Sequence, residues 1–549
     1  MSESRLLRGT VILSAAVFFS KFLGLIFVIP FEALVGPTGL ALYGYAYTPY
    51  TIILSIATMG VPMAISKFVS KYNALGDYRT GRRLFKSGLL LMSLTGFIAF
   101  LLLFFLAPAI APYVVHDAAK GNDPEDVVLV IRLVSTALIV VPVMSVIRGY
   151  FQGFQSMGPT AASQVVEQIV RIGFILVGAS LVIYAFNGSV TTAVGFATFA
   201  AFVGALGGLA VLLRYWKKRK PGLDRQLAQS RQDSNIPYAN MYRELITYAV
   251  PFVVVGLAIP LYLLVDEFTV NRTITSISGF TLKEAERIFA NINQAVQKLI
   301  MIPVSLSTAL AVTLVPAITN SFTSGNYRRL HNQMTQAFQI VLFLTIPAAV
   351  GLSVLAYAIY GTLYGIGEYN IADVALGGKI LRWYAPTALL FALFSITASI
   401  LQGINQQKFT IFSLLVGLLM KLLLNQWLLR ASPELGAVFA TDIGFICSVT
   451  LNLIVIRTYV SYRLGFVFKR GLLILIFSAL MAIVVWLATM PIRGGGTVPD
   501  SYAEAIFIMI PGVLVGGAFY FLLVYRSNLA GQILGDRFSV LKRKKGESK

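Results

Sequence analysis

The sequence predicts an all-α polytopic membrane protein of fourteen transmembrane helices, arranged as two six-helix lobes in parallel repeat plus two extra C-terminal helices. Three observations carry that prediction. Of 549 residues, 57% are hydrophobic and 12% charged, with a mean hydropathy of +0.78, far beyond what a soluble core requires. Apolar runs of roughly 20 residues, enough to cross a ~30 Å hydrocarbon core as helix, recur along nearly the whole chain, whereas the alternating pattern of barrel strands is absent. Motifs of the first half also return in the second at near-constant spacing.

Arg5 and Arg8 precede span 1 (9–32), which lacks a small-residue cleavage site and reads as a retained helix. Gly36-Pro37-Thr38-Gly39 turns the chain into span 2 (41–66), and a basic loop from Lys67 to Lys86 follows inside. Span 3 (87–112) leads to an outer loop with Asp117, Asp123, Glu125 and Asp126; spans 4 (128–150), 5 (160–184) and 6 (190–213) complete the first lobe, 1–213. Arg214, Lys217, Lys218, Arg219 and Lys220 open a basic cytoplasmic linker, 214–243, read as a hinge between lobes. The second lobe, 244–457, holds spans 7 (245–271), 8 (288–318), 9 (334–360), 10 (380–403), 11 (409–430) and 12 (436–456). Spans 13 (471–490) and 14 (503–525) fall in 458–525, before a basic cytoplasmic tail, 526–549.

With both termini cytoplasmic, 30 of the 44 Lys and Arg fall inside and 9 outside. That positive-inside asymmetry directs the net charge of +21 toward anionic leaflet lipid and away from nucleic acid. The single cysteine, Cys447, excludes an internal disulfide and any cysteine metal cluster. His116 and His331, both in predicted loops, leave little for haem, copper or catalytic zinc, so no resident cofactor or metal is expected.

Arg132, Ser145, Gln152-Gly153 and Arg171 recur as Arg382, Ser395, Gln402-Gly403 and Lys421, an offset of 250 throughout. Gly76-Asp77-Tyr78-Arg79 answers Gly325-Asn326-Tyr327-Arg328 at 249. Six helices, an even number, separate the copies, so they share one orientation about an axis along the membrane normal. Two such bundles enclosing a cavity have the layout of an alternating-access transporter.

Charges at membrane depth are costly, about 2.5–3.5 kcal/mol on insertion scales, and are candidates for function. Lys21 sits near the middle of span 1 and Lys298 within span 8, neither with an acid at i±3 or i±4 on its own helix. Arg171 has Glu167 four residues before it, which favours a structural pair, and its counterpart Lys421 lacks that acid. Arg148, near the inner end of span 4, serves either as a headgroup contact or as a helix anchor. Glu32, Asp266, Glu267 and Asp442 lie inside or near the outer ends of spans, where an interfacial role is as compatible as a functional one; Asp266 with Asn425, Thr441 and Asp442 forms the oxygen-rich candidate set for ion coupling.

Ser20-Lys21-Phe22-Leu23-Gly24, Ile29-Pro30-Phe31, the run Leu40 to Tyr50, Met59 to Lys67 and Asn73-Ala74-Leu75-Gly76-Asp77-Tyr78 together resemble the MurJ/YtgP branch of the MOP (MATE-like) flippase superfamily. That polysaccharide-export branch also holds the SpoVB-like and Wzx-like exporters, and the resemblance covers essentially the whole chain. It implies alternating-access movement of lipid II, the undecaprenyl-diphosphate-linked peptidoglycan precursor, across a bacterial cell membrane, by a protein that is not an enzyme and works as a monomer with cell-wall synthesis proteins as candidate associates. It also implies a central cavity whose cations hold the diphosphate, with Lys21 and Lys298 at matching positions and Arg148, Arg171 and Lys421 as further candidates. Other members have basic residues where this chain has Phe27 and Leu54-Ser55, so the cation set is reduced. Na⁺ or H⁺ coupling or the membrane potential would supply the drive, and spans 13 and 14 would form a lateral groove for the polyprenyl tail.

Two other classes fit less well. A drug/cation antiporter calls for an acidic cavity, and the deepest charges are basic; a glycan enzyme calls for carboxylates or a metal on a large loop, and neither Asp-x-Asp nor such a loop is present. Within the flippase class, another lipid-linked polysaccharide intermediate is the alternative substrate.

Overall fold

The computed structural model describes residues 26–230 and 256–529 apart from short breaks at 59, 75, 116–121, 155, 324, 366–368 and 494–495, with a few single positions beyond them. Lys21, half of span 1, most of the second half of the linker and most of the basic tail lie outside the described residues. The described chain is helical with no strand, and it divides into two compact units, Met1–Gln294 and Ala295–Lys549.

The first unit contains α1 (Val28–Thr58), α2 (Val61–Ala74), α3 (Tyr78–Val114), α4 (Pro124–Ser135), α5 (Ala137–Gly153), α6 (Gly158–Ser180), α7 (Val190–Ala228), α8 (Ala258–Thr275) and α9 (Leu282–Ala290). Gly36 interrupts α1 at φ 69°, ψ 177°, a conformation open to glycine and not to ordinary side chains. The basic stretch after span 6 continues α7 to Ala228, consistent with the good helix propensity of Lys, Arg and Leu. Trp216 on that extension stacks on Phe85 at 4.9 Å, and Asp224 meets Arg82 at 3.8 Å.

The second unit contains α10 (Val296–Thr323), α11 (Tyr327–Val354), α12 (Ala356–Tyr364), α13 (Ile371–Tyr384), α14 (Thr387–Gly403), α15 (Gln407–Ala431), α16 (Gly436–Val460), α17 (Gly465–Thr489) and α18 (Tyr502–Arg526). Ten helical segments among the described residues are long and apolar enough to cross a membrane, matching spans 3–6 and 9–14. Spans 1, 2, 7 and 8 include undescribed residues or side chains.

The duplication is visible in atomic detail. Asp77 caps α3 by accepting from Thr80 N at 3.0 Å, and Asn326 caps α11 by accepting from Arg329 N at 3.0 Å. The preceding glycines, Gly76 and Gly325, both take positive φ, 74° and 68°. Close helix approaches repeat as well: a Cβ on Gly153 would lie 2.8 Å from Val69 and 3.0 Å from Ser66 O, and one on Gly403 would lie 2.4 Å from Ile318 and 3.3 Å from Val315 O. Val69 and Ser66 correspond to Ile318 and Val315 at the same 249 offset that relates the caps, so the two units share a packing design as well as a motif.

Candidate functional site

In the first unit, α6 carries three polar residues, Ser163, Glu167 and Arg171, at helical spacing on one face. Arg148 on α5 donates through Nη2 to Glu167 Oε2 at 2.8 Å and to Ser163 Oγ at 2.7 Å, with a further bond from Nε to Ser163 at 3.2 Å. Arg171 donates through Nη2 to Glu167 Oε1 at 3.0 Å and through Nη1 to Tyr47 OH at 2.9 Å. Glu167 is thus held between two guanidinium groups, one on each oxygen, in a triad of net charge +1 whose side chains are only 13–14% exposed. Arg171 Nε is buried with no hydrogen-bond partner among the described residues.

Glycines on α7 make room for this face. A Cβ on Gly204 would lie 2.8 Å from Arg171 Cβ and 2.9 Å from Glu167 O, while Gly208 faces Ser163, whose hydroxyl donates to Gly208 O at 3.0 Å. An aromatic series leads to the triad from α1: Phe27 lies 6.2 Å from Tyr43, Tyr43 stacks on Tyr47 at 5.1 Å, and Tyr47 receives Arg171. Phe27 is therefore a buried part of this packing.

The second unit places Lys421, the counterpart of Arg171, in a different setting. Lys421 is fully buried on α15 and donates to Thr441 Oγ1 on α16. Asp442, next to Thr441, accepts from Thr387 Oγ1 on α14 at 2.5 Å and lies within the electrostatic reach of the Lys421 ammonium. Asn425 is buried one turn beyond Lys421. A second polar layer follows, in which Asn452 bonds Ser413 at 2.6 Å and Thr397 at 3.1 Å. The candidates Lys421, Thr441 and Asp442 thus meet in one network; Asp266, buried on α8, belongs to the first unit. Lys298 is half-buried at the start of α10, directly after a π turn at Asn291–Ala295. Lys21 lies outside the described residues.

An apolar groove of about 630 Å³ runs between α11, α14, α16 and α17, lined among others by Phe338, Leu342, Leu389, Leu393, Leu453 and Phe468. Part of its wall is span 13, which lies beyond the duplicated twelve.

A further cluster was only partly foreshadowed by the sequence. On the short connecting helix α9, Glu286 Oε1 accepts from Asn122 N at 3.2 Å, Asn122 Nδ2 at 3.1 Å and Tyr45 OH at 3.5 Å, and Tyr45 OH accepts from Asn271 Nδ2 at 2.7 Å. Burial pushes the Glu286 carboxyl up to about 7, outweighing the lowering by the Asn122 and Tyr45 hydrogen bonds. Between the ordinary value of 4.5 and about 7 the folded protein then binds more protons than the unfolded chain, so this group's contribution to stability falls as pH rises across that window. Thermal melts of Glu286→Gln against pH are expected to lack that part of the slope; an unchanged slope would assign it elsewhere.

Two helical units of apolar, membrane-length helices with charged side chains and an apolar groove among them define a membrane transporter. The family described as polysaccharide biosynthesis protein matches residues 6–322. The "Lipid II flippase MurJ" of Bacillus subtilis (strain 168) is 45% identical over 545 residues, 99% of either chain, and "Stage V sporulation protein B" of the same organism is 25% identical over 79% of this chain and 80% of its own. Among solved structures, "Lipid II flippase MurJ, inward closed conformation" matches with a TM-score of 0.63 at 16% identity, covering 94% of this chain and 99% of that one; an inward-facing multidrug resistance MATE transporter of the MOP superfamily matches at 0.62 and 14%, covering 82% and 98%. The chain belongs to the polysaccharide biosynthesis protein family, within its MurJ-type flippase group, and is a multi-pass protein of the bacterial cell membrane.

Proposed function

We propose that this protein moves lipid II from the inner to the outer leaflet by alternating access. The observation that carries the reading is the end-to-end 45% identity to the Bacillus subtilis flippase. The lobes, 1–213 and 244–457, would rock about the linker 214–243, with both termini cytoplasmic and the protein acting as a monomer. Lys21 and Lys298 hold the diphosphate, a group of about two negative charges whose oxygens suit ammonium and guanidinium donors. Arg171 adds a donor through its unpartnered Nε, and Arg148, tied to Ser163 and Glu167, positions Glu167 against it. The groove beside span 13 accommodates the polyprenyl tail, whose burial in an apolar trough costs little when the alternative is lipid.

Coupling to Na⁺ or H⁺ through Asp442, Thr441, Asn425 and Asp266, or to the membrane potential, resets the transporter. An inside-negative potential is worth about 2.3 kcal/mol per charge per 100 mV, enough to bias a cavity with surplus cations. The decisive experiment is replacement of the native flippase in a depletion strain by the Lys21→Ala, Lys298→Ala double variant. Lipid II is expected to accumulate in the inner leaflet while the Lys298→Arg variant supports growth. Normal outward movement by the double variant would remove the cationic site; accumulation of a different lipid-linked glycan would reassign the substrate.

A further inference from the structure

The surroundings of Tyr45 hold two buried carboxylates with no lysine or arginine among the described residues acting on either. Glu267 on α8 is 1% exposed, and both its oxygens lack hydrogen-bond partners among the described residues. Glu286 on α9 is fully buried; Oε1 carries the three bonds described above, and Oε2 has none among the described residues. One helical turn from Glu267, Asn271 spends its Nδ2 on Tyr45 and leaves its buried Oδ1 unpartnered. Thr48, one turn along α1 from Tyr45, lies close enough to Glu267 to act on its carboxylate, and both Glu267 and Glu286 act electrostatically on Tyr45. Among the described residues no lysine or arginine contributes at Glu267 or Glu286. The cluster therefore presents four oxygens with unfilled acceptor capacity, drawn from α8 and α9 and gathered around Tyr45 of α1.

Buried acceptors left without donors are expensive, at about 1–3 kcal/mol each and more for charged groups, and a fold does not ordinarily leave four in one place. Each of these atoms is an oxygen, and the neighbouring hydroxyls of Tyr45 and Thr48 are oxygen too, which is the donor set of a hard cation and not of a thiophilic metal. We propose that Glu267, Asn271 Oδ1 and Glu286 Oε2 form a binding site for a hard, oxygen-seeking cation of the Na⁺ or Ca²⁺ kind. The site is separate from the Lys421–Thr441–Asp442 network. Its ligands come from α8 and α9, and Tyr45 of α1 is hydrogen-bonded to Asn271 and Glu286, so an occupied site holds the first repeat to the opening helices of the second through Tyr45. Release of the ion would free that contact.

Thermal unfolding of the full-length protein in detergent at ~pH 8, above the range of the Glu286 carboxyl, tests this with choline, sodium, calcium and magnesium chlorides at equal ionic strength. In an Asp442→Asn background, which silences the coupling network proposed above, at least one metal cation is expected to raise Tm over choline. Adding Glu267→Gln should weaken the apparent affinity for that cation about tenfold or more, as loss of a ligand does. The proposal is overturned if no metal cation exceeds choline in the Asp442→Asn protein, or if Glu267→Gln responds like its parent; absence of a response in the parent protein as well would mean that the carboxylates hold protons. Should Glu267→Gln fail to fold, equilibrium uptake of radioactive sodium or calcium by the Asp442→Asn protein, with and without Glu286→Gln, gives the same decision. Loss of the response with Asp442→Asn alone would place the ion in the second unit instead.

Discussion

Replacement of Glu167 by alanine is expected to destabilise the protein by about 3–5 kcal/mol, the scale found when one partner of a buried ion pair is removed. The carboxylate serves two guanidinium groups at once, Arg148 at 2.8 Å and Arg171 at 3.0 Å, and the pair is shielded from solvent. Without it two largely shielded cations face each other across α5 and α6, and among the described residues only Ser163 and Tyr47 remain as their neutral acceptors. Removing all three charges is a different experiment. An Arg148→Met, Glu167→Leu, Arg171→Met protein loses the attraction and the desolvation cost together, and is expected to melt near the parent. Melting curves of the two variants check this. Lipid II translocation by the triple variant then separates the roles: a stable protein that no longer flips assigns the arginines to the substrate, and one that flips normally assigns them to the scaffold.

How much of this was legible in the sequence depends on sequence separation. The Glu167–Arg171 pair follows from helical spacing alone and appears as expected. The Arg148–Glu167 pair, 19 residues apart, requires α5 and α6 to fold back on each other with Ser163 at the crossing, which no periodicity encodes. The Glu286 contacts with Tyr45 and Asn122 span 241 and 164 residues, so the acids near span ends could be noticed but not joined to their partners. The duplication was legible because it acts through residues with few substitutes: a capping Asp or Asn, a glycine at positive φ, and a glycine where another helix arrives within van der Waals distance. The basic stretch after Val211 read as the start of a linker because charge runs are usually solvated, yet Arg, Lys and Leu are also good helix formers, and α7 continues through it.

The same duplication sets up the second large effect. Arg171 and Lys421 occupy equivalent positions, but position 417, which corresponds to Glu167, is a glycine, and the acid comes instead from the neighbouring helix as Asp442. A Lys421→Met variant should therefore be destabilised by about 1–3 kcal/mol, since it leaves the half-buried Asp442 with Thr387 as its hydrogen-bond donor and without the Lys421 charge. Lys421→Met combined with Asp442→Asn should recover part of that loss, and the cycle of four proteins is expected to give a coupling energy of about 1–3 kcal/mol. Additive losses would show that the two charges do not interact. The stable double variant then asks what Lys421 is for. If its ammonium reaches the diphosphate, translocation stays lost although the fold is restored; if it serves only to neutralise Asp442, translocation returns with stability, and the second repeat has kept its buried cation for architecture while Lys298 alone in that unit meets the lipid.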